Sequence, residues 1–309
     1  MDISESIKKE NDLIRNMKYG YHVRSVFSYP EIRDLTLKVE RLGFESAHIN
    51  DHFIDNHLEA MMLTSALAVE TSKIKLGHLV LCNSYRNPAY LAKMMCTLDN
   101  ISNGRALFWL GAGWYRAEYK GYGYPFPSDK QRVDELEESL VIYKKLFTES
   151  KTDFEGKFWK LKKNRNTPKS IQKPYPQIVL GTSGKRMIDI ACREADGINL
   201  TNIKPDELPE YIKKVKANLK KYNRNKSEFE ISSCSTITLT DNQDETKILY
   251  DSSGNLYIGY HEAIKEEMDK LERLGLDKMI LWGVFKSSKS EMKDPIETFA
   301  KKVMKKKKA

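Results

Sequence analysis

The chain has 309 residues, 40% of them hydrophobic and 31% charged, with a formal charge of +9 and four cysteines. That apolar share supports a large packed core and excludes a disordered chain, while no apolar run reaches the roughly 20 residues that span a bilayer. The positive excess gathers at the end, where Lys301, Lys302 and residues 305–308 are lysine, so it reads as a solvated tail, and no nucleic-acid-binding motif accompanies it.

Residues 1–17 are polar and charged and lack the apolar centre of a signal peptide. Cys82, Cys96, Cys192 and Cys234 form no C-x-x-C pair, so a reduced, cytoplasmic setting is expected. From residue 19 onward, apolar runs alternate with amphipathic stretches. Residues 19–23 read as a first strand. Ile32, Leu35, Val39 and Leu42 recur at helical spacing and predict a helix over 30–42, which Gly43 ends. A strand at 44–50, a helix at 58–70 and a strand at 74–82 follow. Pro88 suits the first turn of a helix running to about residue 100, and Ser102-Asn103-Gly104 breaks it. The fourth strand spans 105–110. A long helix begins at Ser128-Asp129, with Val133, Leu136, Leu140 and Tyr143 on its buried face.

Residues 151–176 interrupt this rhythm with short β-like pieces and Pro168, Pro174 and Pro176. They read as an insertion that could cover the mouth of the fold. The alternation resumes with strands at 177–180, 196–200, 229–240 and 278–283, helices at 184–194 and 205–222, a helix ending at Leu274 and another from Pro295; residues 241–259 are variable. Eight strands, each followed by a helix, predict a closed parallel (β/α)8 barrel, a TIM barrel, with an insertion after the fourth βα unit. A doubly wound open sheet is the alternative. A single domain is expected, with residues 1–17 as a polar extension and 301–309 as a basic tail.

In such a barrel, functional groups gather where strands end and βα loops begin. The second strand ends in Asn50-Asp51-His52-Phe53. A carboxylate beside an imidazole can set a proton donor next to a bound ring, although capping by Asp51 and a buried, satisfied His52 suit the pair equally. The third strand runs through Leu79-Val80-Leu81-Cys82 into Asn83-Ser84-Tyr85-Arg86-Asn87-Pro88. These groups could meet the edge of a heteroaromatic ring, or simply turn the chain into a Pro-led helix. The fourth strand ends in Gly111-Ala112-Gly113-Trp114, small enough for a planar ligand to approach the backbone. The third glycine of a dinucleotide fingerprint is missing. Glu118 and Tyr119 follow, then the aromatic loop Tyr122-Gly123-Tyr124-Pro125-Phe126-Pro127, which could wall a pocket.

The fifth strand ends in Gly181-Thr182-Ser183-Gly184-Lys185, directly before a helix. Unsatisfied N–H groups and the positive end of the helix dipole suit a phosphate-bearing ligand there. Arg186 stands where a Walker loop needs Ser or Thr. Thr201-Asn202, after the sixth strand, would lie next door. His22, His48, His52, His57, His78 and His261 form neither H-x-H nor H-E-x-x-H, so no metal site is expected, and no G-x-S-x-G elbow is present.

At these residues the chain resembles the luciferase-like superfamily, especially its coenzyme F420-dependent branch. The matching stretches are Asn50-Asp51-His52-Phe53, the run from Leu81 to Pro88, Ser102-Asn103-Gly104-Arg105, and Leu110-Gly111-Ala112-Gly113-Trp114 with Glu118 and Tyr122-Gly123-Tyr124-Pro125-Phe126. Gly156-Lys157-Phe158, residues 172–176 and the Gly181 turn continue it, in order, over about residues 18–300. The resemblance implies a barrel, usually a homodimer, holding an isoalloxazine or deazaflavin ring over its strand ends. It places Asp51 and His52 near that ring, with Leu79, Val80, Asn83, Tyr85, Ala112 and Gly113 as further candidate contacts. It suggests a non-proline cis peptide near Leu79-Val80. It assigns the cofactor phosphate to Gly181, Thr182, Ser183, Thr201 and Asn202.

Members acting on sugar phosphates carry an acidic residue where Trp114 stands and a tryptophan where Asp55 and Asn56 stand, which argues against a sugar-phosphate substrate. The expected activity is hydride transfer between coenzyme F420 and a small organic substrate. His52 is the candidate proton donor, Asp51 its orienter or a ring contact, and Glu118 an acid behind them or in the pocket. The alternatives are an FMN-dependent luciferase-like monooxygenase on the same barrel and, more distantly, a ligand-binding barrel without turnover. No nucleic-acid or membrane partner is expected.

Overall fold

The computed structural model describes residues 17–304 except positions 55, 245, 252 and 253. The expected extension up to residue 16 and the tail from residue 305 lie outside the described residues. Strands and helices alternate as β1 (Lys18–His22), α1 (Tyr29–Leu42), β2 (Ser46–Ile49), α2 (Ala60–Glu70), β3 (Lys75–His78), β4 (Leu81–Cys82), α3 (Pro88–Ile101), β5 (Phe108–Gly111), α4 (Arg116–Gly121) and α5 (Asp129–Thr148). A hairpin of β6 (Thr152–Glu155) and β7 (Lys160–Asn164) follows, then β8 (Ile178–Gly181), α6 (Lys185–Glu194), β9 (Gly197–Leu200), α7 (Leu208–Lys221) and β10 (Glu230–Leu239). The chain continues through β11 (Thr246–Asp251), β12 (Gly254–Gly259), α8 (His261–Leu274), β13 (Lys278–Lys286) and α9 (Pro295–Lys302).

The caps are those the sequence announces. The Glu31 carboxylate accepts the Ser28 N–H at 2.9 Å at the start of α1, and Gly43 closes that helix at φ 87°, where a side chain would be strained. Ser128 accepts the Gln131 N–H at 3.3 Å at the start of α5.

Nine strands lie side by side in the order β3-β2-β1-β13-β10-β9-β8-β5-β4, every neighbouring pair parallel. β3 and β4 are two halves of the predicted third strand, separated by a cis peptide at Leu79-Val80. Leu76 N donates to Arg105 O at 2.9 Å and Leu107 N to Leu76 O at 2.8 Å, bringing β3 against the entry to β5. The ring is thus a nearly closed parallel barrel, and the open-sheet alternative falls.

Alternation within each strand makes two apolar layers. Tyr19, Tyr21, Phe108 and Leu110 face the helices: Tyr19 meets Phe299 at 5.4 Å and Phe108 meets Tyr143 at 4.9 Å between ring centroids. Leu79, Leu107, Trp109, Val179, Cys234 and Ile280 fill the barrel itself. Below them Lys278, 1% exposed, is held between Glu45 at 3.1 Å and Glu230 at 3.0 Å. Burial alone would raise the Glu45 carboxyl, but Lys278 and Lys75 hold it down at about 2.

Three departures from the sequence reading have clear physical causes. First, residues 151–176 do not cover the mouth. The β6–β7 hairpin packs outside α5, where Glu138 accepts the Lys157, Phe158 and Trp159 N–H groups, and Gln172 reaches Asp99 and Ala106 O. An α-helix of a βα barrel delivers the chain to the N-terminal face, so this connection begins at the end opposite the mouth. Second, residues 116–121 are helical, too short a stretch for periodicity to show. Third, the variable stretch holds β11 and β12; β12 joins β10 in parallel while β11 pairs with it antiparallel. β10 and β13 run long, and between Ser235 and Thr236 the register slips so that Trp282 is an extra residue on β13. A bulge of this kind re-aims a side chain.

Candidate active site

A cavity of about 390 Å³ opens at the C-terminal ends of the strands, within the usual small-molecule range of roughly 300–1,000 Å³. Asp51 and His52 line it from β2; Leu79, Val80, Cys82 and Tyr85 from the third strand and its turn; and Gly111, Ala112, Gly113, Trp114, Tyr115 and Glu118 from β5 and α4. Gly181, Thr182, Ser183 and Gly184 enter after β8 with Met187 on α6, Thr201 and Asn202 after β9, and Trp282 from β13. Of the residues given a catalytic or cofactor-binding role from the sequence, all but Asn83 line this cavity, whereas Ser84, Arg86, Asn87 and the aromatic loop 122–127, expected near the ring or as a pocket wall, do not.

Asn83 is buried with its amide turned outward. It donates to Ser139 Oγ at 3.2 Å and accepts the Tyr143 hydroxyl at 2.8 Å, tying the turn to α5. A short helical turn over residues 83–85 rotates alternate side chains away from the mouth, so Tyr85 enters the cavity and Asn83 does not.

Asp51 is not the orienter of His52. Its Oδ2 accepts the Cys82 N–H at 2.8 Å and Arg86 at 2.7 Å, and its Oδ1 accepts Arg86 at 2.8 Å. Such a forked guanidinium–carboxylate pair is rigid. Glu118 holds the imidazole instead. Both of its oxygens lie 3.0 Å from His52 Nδ1, and it also accepts the Phe53 N–H at 3.0 Å and the Tyr85 hydroxyl at 2.7 Å. The Glu118 side chain is fully buried while that of His52 is 30% exposed, so the carboxylate backs the ring and the ring faces the cavity. Burial first, and then the Glu118 carboxylate, keep the Tyr85 hydroxyl well above the ordinary phenol range, so it stays a donor. Tyr122 OH to Phe53 O at 2.7 Å and Tyr124 OH to Tyr85 O at 3.1 Å brace the groups that grip Glu118. Burial pushes the Cys82 thiol up to about 11, so it is a thiol and not a nucleophile at neutral pH.

The floor is kept low by missing side chains. A Cβ on Gly111 would sit 2.8 Å from one methyl of Val80, and on Gly181 2.7 Å from the other. Gly113 adopts φ 85°, and a Cβ there would lie 2.0 Å from the Tyr119 hydroxyl and 2.7 Å from Cys82 Sγ. Gly113→Ala is therefore expected to displace Tyr119 and destabilise the protein by about 1–3 kcal/mol, read from urea unfolding. An unchanged midpoint would show that the α4 loop moves freely.

At the far end the chain turns from β8 into α6, whose N-cap Gly184 and first-turn Met187 line the same cavity with Thr182, Ser183, Thr201 and Asn202, so the positive end of that helix lies at the cavity. Thr182 Oγ1 accepts the Gly184 N–H at 3.0 Å and fixes the turn. The site as a whole offers a neutral anion cradle, a smooth floor and, at the other end, a carboxylate-backed imidazole. Its His52 Nε2 has no hydrogen-bond partner among the described residues. Such a pair can exchange one proton with a bound molecule.

Sequence reasoning missed Trp282, Tyr115 and Met187. Trp282 carried a signal, a lone indole near the end of the eighth strand. The Glu118–His52 pair, 66 residues apart in the chain, carried none.

The family model described as luciferase-like monooxygenase matches residues 13–283. The FMNH(2)-dependent dimethylsulfone monooxygenase of Pseudomonas putida is 30% identical over 169 residues, covering 53% of this chain and 46% of that protein. The F420-dependent glucose-6-phosphate dehydrogenase of Kineococcus radiotolerans is 30% identical over 200 residues, covering 62% and 58%. The chain thus spans about half the length of these curated relatives. The coenzyme F420-dependent tetrahydromethanopterin reductase of Methanopyrus kandleri superposes with a TM-score of 0.78 at 20% identity, over 93% of this chain and 98% of that one, a likeness of fold.

Proposed function

Because the chain belongs to the luciferase-like monooxygenase family, we propose that it is an oxidoreductase passing hydride between coenzyme F420 and a small organic substrate. The observation that carries this reading is the buried Glu118 behind His52, at one end of a cavity whose other end is the α6 N-terminus.

The residues fit such a cofactor. Glycines stand at 111, 113 and 181, where a Cβ would meet its neighbours at 2.8 Å or less, and they leave room for a flat ring against the backbone. Thr182, Ser183, Thr201, Asn202 and the α6 amides would hold its phosphate. When bound, the deazaflavin supplies the hydride chemistry. Glu118 fixes the His52 proton on Nδ1 and stabilises the ring when it is charged, so that Nε2 gives or takes the substrate proton. Arg86 grips both oxygens of Asp51 and holds the side chain in place beside the ring site.

The similarity to an FMNH(2)-dependent enzyme favours a second reading, an FMN-dependent monooxygenase. Titrating the purified protein with F420 and with FMN, followed by the visible spectrum, is expected to give saturable changes with F420 at the lower concentration. Tighter binding of FMN, with oxygen consumed when it is reduced, would select the monooxygenase. No spectral change with either would leave a barrel without turnover.

The whole chain is read as one barrel domain acting in the cytoplasm, in keeping with four cysteines that form no disulfide. A homodimer is also proposed. Met62 and Val69 on α2 are 76% exposed and Tyr90 on the adjoining α3 is 63% exposed, large apolar side chains that a second copy would cover. Val69→Glu is expected to shift the light-scattering mass from dimer to monomer, and a wild-type monomer would end this assignment.

A further inference from the structure

We infer, on the oxidoreductase reading above, that the site takes an uncharged aromatic substrate and that Trp114 selects it. Trp114 and Tyr115 stack with ring centroids 5.0 Å apart and planes 20° apart. Both line the cavity, and both lie edge-to-face with His52, at 6.0 Å and 5.8 Å. Tyr115 covers one face of the indole, yet Trp114 remains 71% exposed. A large apolar ring left open beside the proton-exchanging group is suited to a planar ligand, because aromatic pairs stack offset or edge-to-face. From the other side of the mouth the β13 bulge turns Trp282 into the same cavity.

Charge narrows the class further. Among the described residues no lysine or arginine lines the cavity; its acidic and imidazole side chains are Asp51, Glu118 and His52. Arg86 is committed to Asp51 and Glu59. The N-terminus of α6 is the one anion cradle among the lining residues, and the cofactor phosphate takes it on the reading above. α4, at six residues, is too short to supply another. A phosphorylated or carboxylated substrate would therefore lose its hydration beside carboxylates with no lysine or arginine to replace it. A neutral aromatic molecule loses far less hydration than an anion and gains the indole face.

The test is calorimetric titration of the purified full chain with acetophenone, benzoate and glucose 6-phosphate, alongside the cofactor titration. Acetophenone is expected to bind at least about tenfold more tightly than either anion. Trp114→Ala should weaken it by about five- to tenfold, and Trp114→Phe should restore most of the affinity. Equal or tighter binding of an anion, no detectable acetophenone binding, or an unchanged affinity in Trp114→Ala would overturn the inference. If the cofactor still binds in those cases, the oxidoreductase reading survives. If neither cofactor binds, both readings fall together.

Discussion

Glu118→Gln is expected to lower turnover by about 10²–10⁴-fold while leaving cofactor affinity within about threefold, because positioned acid–base groups contribute on that scale. The carboxylate touches His52 Nδ1, Tyr85 OH and Phe53 N. The amide can still meet Phe53 or Tyr85, so the fold is kept, but it cannot stabilise a charged imidazole and leaves the tautomer unfixed. His52→Ala removes the nitrogen proposed to exchange the substrate proton and should fall in the same range. Groups that act as a unit are not additive, so the double variant should be little worse than the poorer single one. Steady-state kinetics on the three variants, with cofactor titrations in parallel, checks this. Loss of cofactor binding in step with turnover would show that His52 and Glu118 hold the ring and do not serve proton transfer.

Stability is expected to fall steeply as the pH drops below about 6.5. His22, His48 and His78 are buried in and around the barrel wall, and burial is the leading cause that lowers them to about 3, about 3 and about 4 from an ordinary 6.5. His22 packs 4.2 Å from Trp282, His48 lies 2.9 Å from Ser46 Oγ, and His78 lies 3.0 Å from Thr64 Oγ1. The fold keeps all three neutral. The unfolded chain protonates them once the pH passes below 6.5, so it binds up to three more protons than the native state until the native values are reached. Each such proton is worth about 1.4 kcal/mol per pH unit, giving a slope approaching 4 kcal/mol per unit between about pH 6 and 4. Glu45, held down at about 2 from 4.5, adds its loss lower still, as pH falls from 4.5 toward 2. Urea unfolding at pH 7.5, 6.5, 5.5 and 4.5 reads the slope directly. His48→Asn keeps a donor for Ser46 and should flatten it by about one proton, whereas a level profile from pH 7 to 5 would mean that these histidines titrate in place.

The residue sequence by itself determined the barrel. Parallel strands covered on both faces read as unbroken apolar runs, and their helices announce themselves through caps such as Gly43 and Ser128, so the element order needs only local information. The same local logic located the mouth, because strand ends and glycine turns are visible as Gly111-Ala112-Gly113 and Gly181-Thr182-Ser183. Tertiary structure alone decided which neighbours matter there. Asp51 adjoins His52 in the chain but is claimed by Arg86, and the imidazole is held by Glu118 from a different βα unit. Asn83 sits among pocket residues yet turns to α5, and Trp282 enters the cavity through a one-residue slip between β10 and β13. Residues 151–176 end up outside α5 because the direction of the preceding helix sets which face of the barrel they start from. Secondary structure follows from spacing along the chain, whereas pairing of charges and aim of side chains depend on packing between segments that only closure of the barrel brings together.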